Sequence, residues 1–61
     1  MILVQYYEML PIDGKTIRHD IFELCDSKFR VKRNLTRDEA EEMKKNCRMI
    51  YQSHGRAIYQ Q

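Results

Sequence analysis

The chain predicts an α+β fold: a three-stranded antiparallel sheet packed on one helix, with a short C-terminal strand as a last element (β-β-β-α-β). Three observations predict it. Residues 2–10 (ILVQYYEML) and 15–25 (KTIRHDIFELC) are rich in β-branched, aromatic and aliphatic types and flank Asp13-Gly14. Residues 28–35 (KFRVKRNL) alternate charged and apolar side chains, as a half-buried strand does. Thr36-Arg37-Asp38-Glu39 then opens a helix.

Each element has its own signal. Pro11 closes the first strand, and Asp13-Gly14 tolerates the positive φ of a type I′ hairpin turn. Asp26-Ser27 is the turn signal between the second and third strands. In the capping box, the Thr36 hydroxyl accepts the N–H of Glu39 and the Glu39 carboxylate accepts the N–H of Thr36. Leu35 and Ala40 stand at the staple positions around it, and Asp38, Glu39, Glu41 and Glu42 oppose the helix dipole. Ala40, Met43, Cys47, Ile50 and His54 recur at three- and four-residue spacing, which carries the helix across 37–54. Gly55 ends it as a C′ residue, and 56–60 (RAIYQ) forms the final strand.

A chain of 61 residues makes one domain, 1–61, and hides only roughly 60% of its unfolded surface, which leaves no room for a deep cleft. Its net charge of +2 is too balanced to name nucleic acid as a partner. Cys25 and Cys47 are too few for a disulfide framework and fall in regular elements, so reduced, packed thiols and a cytoplasmic location are expected. No basic stretch precedes the apolar run Ile2–Val4, and no apolar run reaches ~18 residues, so neither a signal peptide nor a membrane partner is expected.

Two-residue turns in both hairpins set the faces. The first pairs Leu10 with Ile17, Tyr6 with Ile21 and Val4 with Glu23; the second pairs Leu24 with Phe29 and Phe22 with Val31. Phe22, Leu24, Phe29 and Val31 then meet Met43, Cys47 and Ile50 in the core. The other face mixes Val4, Tyr6 and Ile21 with Lys28, Arg30 and Lys32 and stays uncovered, since one helix covers one face. A β-bulge between the strands is the alternative that flips part of this assignment.

Chemistry is thin. Two glycines cannot cradle a phosphate. Cys47 and His54 on one helix lie about 10 Å apart along its axis, beyond nucleophile–base reach. His19, Cys25, Cys47 and His54 are zinc-ligand types without zinc-site spacing. No catalytic residue, cofactor, metal or small-molecule substrate is implied, and the chain reads as a non-enzyme. An apolar patch with a charged rim marks a docking surface. The expected function is a small protein-binding module that occupies a surface of a larger macromolecule, through Val4, Tyr6, Ile21, Arg30 and Lys32, with Tyr59 if 56–60 is a strand. One alternative is a nucleic-acid-binding module using Lys28, Arg30, Lys32, Arg33 and Arg37, a segment with five positive charges and no negative one. Another is a structural subunit that pairs with itself as a homodimer.

The order of three strands, a capped acidic helix start and a basic third strand resembles in layout the small three-stranded DNA-binding modules at the start of some phage-type integrases. In size and lack of catalytic groups the chain is similar to compact accessory proteins of phages and mobile elements, many of which inhibit a host protein. Neither resemblance assigns a role to a particular residue.

Overall fold

A computed structural model describes residues 1–61. The expected three-stranded sheet on a long helix is overturned. The chain forms one five-stranded antiparallel sheet and one short helix: β1 (Ile2–Ile12), β2 (Lys15–Cys25), β3 (Val31–Leu35), α1 (Arg37–Lys44), β4 (Arg48–Ser53) and β5 (Arg56–Gln60), in sheet order β3-β2-β1-β5-β4.

The first hairpin follows from its turn. Asp13 (φ 50) and Gly14 (φ 72) both lie in the left-handed region, as a type I′ turn requires, and Ile12 pairs with Lys15. Leu10 then pairs with Ile17, Tyr6 with Ile21 and Val4 with Glu23, the register expected from sequence.

The second connection differs. Phe22 pairs with Leu35, not Val31, and β3 begins only at Val31. Residues 26–30 form a loop instead of a two-residue turn. A bulge opposite Leu24 and Cys25 leaves Lys32 as the extra residue. Together these place Val31 across from Cys25, on the face opposite the helix. Phe29 and Val31, expected in the core, are instead about half exposed.

The helix is the larger departure. Its capping box is present, with the Glu39 N–H donating to Thr36 Oγ1 at 3.2 Å and the Thr36 N–H to Glu39 Oε1 at 2.9 Å. It stops at Lys44, and the N–H groups of Lys45, Asn46 and Cys47 donate to the carbonyls of Glu42, Met43 and Lys44 in tightened closing turns. Arg48–Ser53 leaves as a strand, and Gly55 (φ 71) serves the β4–β5 turn instead of a helix end. The segment RMIYQS fits an alternating strand as well as a helix. Pairing with Arg56–Gln60 decides it, and β5 in turn satisfies the edge of β1 from Ile2 to Gln5.

The helix covers one face. Leu3, Phe22 and Ala40 are buried there, with Leu35, Met43 and Tyr59 against them. Arg37 and Lys44 lie over the Phe22 ring at 5.4 and 5.8 Å, and Lys44 lies 5.1 Å from the Tyr59 ring. Cys47 is only partly buried and Ile50 is exposed, so neither helps to form this core. No helix is long and apolar enough to cross a membrane.

Candidate functional site

The other face has no second layer. Ile2, Val4 and Cys25 are nevertheless buried on it, with Tyr6 and Ile58 packed against them. Strand pairing places Ile2, Val4 and Tyr6 of β1, Ile21, Glu23 and Cys25 of β2, Val31 of β3 and Ile58 of β5 on this face. Bulges opposite Leu24/Cys25 and between Met49 and Tyr51 add twist to both outer strand pairs. The result is a hollow of about 290 Å³, floored by Val4 and Cys25 and walled by Phe29, Val31 and Ile58.

Phe29 is the unusual residue of this hollow. It stands at φ 61, a conformation that a bulky side chain rarely adopts. The loop around it centres on the Asp26 carboxylate. Asp26 Oδ1 accepts the N–H groups of Lys28 and Arg30, both at 2.9 Å, and Oδ2 accepts Arg30 Nε at 2.7 Å. The Phe29 N–H donates to the Asp26 carbonyl at 3.0 Å, and the Asp26 N–H to the Arg30 carbonyl at 2.9 Å. The Arg30 backbone N–H, and then its guanidinium, hold the Asp26 carboxyl below the usual aspartate range. Five hydrogen bonds thus hold a strained turn that leaves Phe29 51% exposed beside an apolar hollow.

The polar groups of the hollow are few. Tyr6 Oη donates to Glu23 Oε2 at 3.1 Å, and Arg56 lies over the Tyr6 ring at 5.6 Å. Burial, reinforced by the Glu23 carboxylate, raises the Tyr6 phenol above its ordinary range. Burial also pushes the Cys25 thiol up, away from the reactive thiolate.

Beyond the hollow, β1 and β2 run on without further strand partners. β5 pairs β1 only from Ile2 to Gln5, and β3 pairs β2 only from Phe22 to Cys25. Residues 6–21 therefore form a two-stranded ribbon projecting from the sheet, and the molecule measures 39 × 21 × 21 Å. On the ribbon's open face, Ile12 and Ile17 are exposed and Leu10 and Ile21 half-buried, continuing the apolar surface of the hollow.

The residues singled out from sequence sort as follows. Val4, Tyr6 and Ile21 share the open face. Arg30 is tied to Asp26 at the loop, and Lys32 is the bulge residue beside it. Tyr59 lies on the opposite face under the helix, so it is not part of this surface. Phe29 and Val31, which alternate as core residues should, reach this face through the 26–30 loop and the bulge, and Ile58 takes its face from the pairing of β5 with β1, which no residue pattern sets.

The basic segment does not form a stripe. Arg30 pairs with Asp26, Arg33 with Glu39 at 3.1 Å and Arg37 with Asp20 at 2.6 Å, which leaves Lys28 and Lys32 without carboxylate partners. Arg33 and Arg37 face the helix side, away from the hollow. No three His, Cys, Asp or Glu side chains lie close enough to hold a metal ion. His19 and Cys25 stand six residues apart on one strand, about 20 Å, too far for a nucleophile and its base. No family model, curated protein or solved structure matches the chain.

Proposed function

We propose that the chain is a small non-catalytic protein-binding module, of an accessory or inhibitory kind, and that the open sheet face is its docking surface. The observation that carries this reading is Phe29. Its ring is offered to solvent at the edge of an apolar hollow by a turn that five hydrogen bonds hold against its own strain. A rigid aromatic beside a pocket is the common form of an interface anchor, because little side-chain freedom is lost when it docks. The surrounding face is apolar at its centre and charged at its rim, where Arg56 and Glu23 stand. Arg30, Arg33 and Arg37 are each held by a carboxylate, so the basic segment keeps only Lys28 and Lys32 free for a phosphate backbone.

The test is co-purification from the native host together with measurement of oligomeric state. The intact chain is compared with Phe29→Ala and with the double variant Tyr6→Ala/Ile21→Ser, and Lys45→Ala serves as a helix-side control. Loss of about tenfold or more in affinity is expected for the face variants alone, the scale of a hot-spot truncation. If every association and the oligomeric state survive both face variants, the reading fails.

A further inference from the structure

The open face also carries a charge order. From the hairpin tip toward the sheet, its cross-strand pairs are Ile12/Lys15, Leu10/Ile17, Glu8/His19, Tyr6/Ile21 and Val4/Glu23. The series reads the same from both ends about the Glu8/His19 pair, except that the charge changes sign. Ile12 corresponds to Val4, Leu10 and Ile17 to Tyr6 and Ile21, and Lys15 to Glu23.

We propose that the open face is a homodimer interface, in which the hairpin tip of each copy seats in the hollow of the other. The two-fold axis lies in the interface and crosses both ribbons at Glu8/His19. This inference rests on the docking reading above and names the occupant.

Three observations support a second copy. The first is charge complementarity. Within one chain Lys15 and Glu23 are eight residues apart on one strand, about 26 Å, so they cannot meet. Turned about the axis, each Lys15 comes over the Glu23 of the second copy, and the pairing occurs twice. The second is the apolar match. Leu10 and Ile17 come over Tyr6 and Ile21, and Ile12 arrives at Val4 in the floor of the hollow, with Phe29 and Val31 along one wall. The third is the size of the monomer core. Only 6 of 61 residues are buried, while Ile12, Ile17, Phe29, Val31 and Tyr51 are exposed. Glu8 and His19 are cross-strand neighbours at the axis, where each meets its own counterpart in the second copy.

Sedimentation equilibrium across the micromolar range tests this with charge reversal. The unaltered chain is expected to be dimeric. Lys15→Glu and Glu23→Lys each set two like-charge pairs across the axis and should weaken the dimer tenfold or more. An equimolar mixture of the two variants should regain it, because each introduced carboxylate then faces an introduced ammonium. Ile17→Glu, on the exposed ribbon, should be monomeric with an unchanged circular dichroism spectrum. With Lys15→Glu it decides the matter if Glu23→Lys fails to fold. A monomeric unaltered chain overturns the proposal, and so does a dimer that neither Lys15→Glu nor Ile17→Glu weakens. A monomeric chain whose co-purifying partner is lost in Tyr6→Ala/Ile21→Ser would overturn the second copy while leaving the docking face standing.

Discussion

Phe29 and Asp26 make one unit. A non-glycine residue in the left-handed region costs about 1–2 kcal/mol, and the hydrogen bonds to the Asp26 carboxylate offset that cost. Glycine carries no such penalty. Phe29→Gly should therefore be more stable than Phe29→Ala by about 1 kcal/mol, the reverse of the usual order, as urea denaturation of both variants would show. Both should lose association alike, since both lose the ring. Titration gives a second check. Asp26, Asp20 and Glu39 are all held below their ordinary values by hydrogen bonds from arginines or backbone N–H groups. A depressed folded-state pKa contributes stability above the unfolded value and loses it as pH falls through the folded value. The denaturation midpoint should thus fall as pH drops below about 5, and Asp26→Asn should make that fall shallower. An unchanged slope in the variant would remove Asp26 from this account.

The helix is a lid of eight residues, too short to persist without its cap and its packing. Thr36 and Glu39 satisfy two of its orphan N–H groups, and Ala40 and Met43 lie over Leu3 and Phe22. Thr36→Ala should cost about 1 kcal/mol in chemical denaturation. The same substitution should leave the open face and its association intact, because no helix residue reaches the hollow. The two hairpins differ in what fixes them. Type I′ chemistry at Asp13-Gly14 is local and strong. Gly55 serves packing as well as its turn: a Cβ there would collide with the Tyr7 ring of β1, which lies against the β4–β5 turn.

At the scale of the whole molecule, the chain is a compact sheet base with a ribbon extending from it. An isolated two-stranded ribbon is marginal in water. Hydrogen exchange should find the greatest protection where three or more strands pair, at Leu3–Gln5 and Phe22–Leu24. Residues 9–18 should exchange faster in the Ile17→Glu variant than in the unaltered chain. Equal exchange in the two would mean that nothing covers the ribbon. The long axis of 39 Å and the small buried core point the same way: the single chain leaves apolar surface that its own helix does not reach.

The sequence by itself determined the features that rest on neighbours in the chain. Asp13-Gly14 sets the first turn and thereby the whole β1–β2 register. Thr36 to Glu39 sets the helix start. Alternation along β1 and β2 assigns Leu3 and Phe22 to one face and Val4, Tyr6 and Ile21 to the other. Only the tertiary structure decided the rest. Met43, Cys47, Ile50 and His54 share a helical spacing, but Arg48–Ser53 gains more by pairing with β5, whose backbone groups would otherwise lack partners. Phe29 and Val31 alternate as core residues should, yet the Asp26-centred loop and the bulge after it turn them to the open face. A turn or cap is settled by a few adjacent residues, whereas a strand's neighbour and a bulge's side are settled by backbone hydrogen bonds between distant segments.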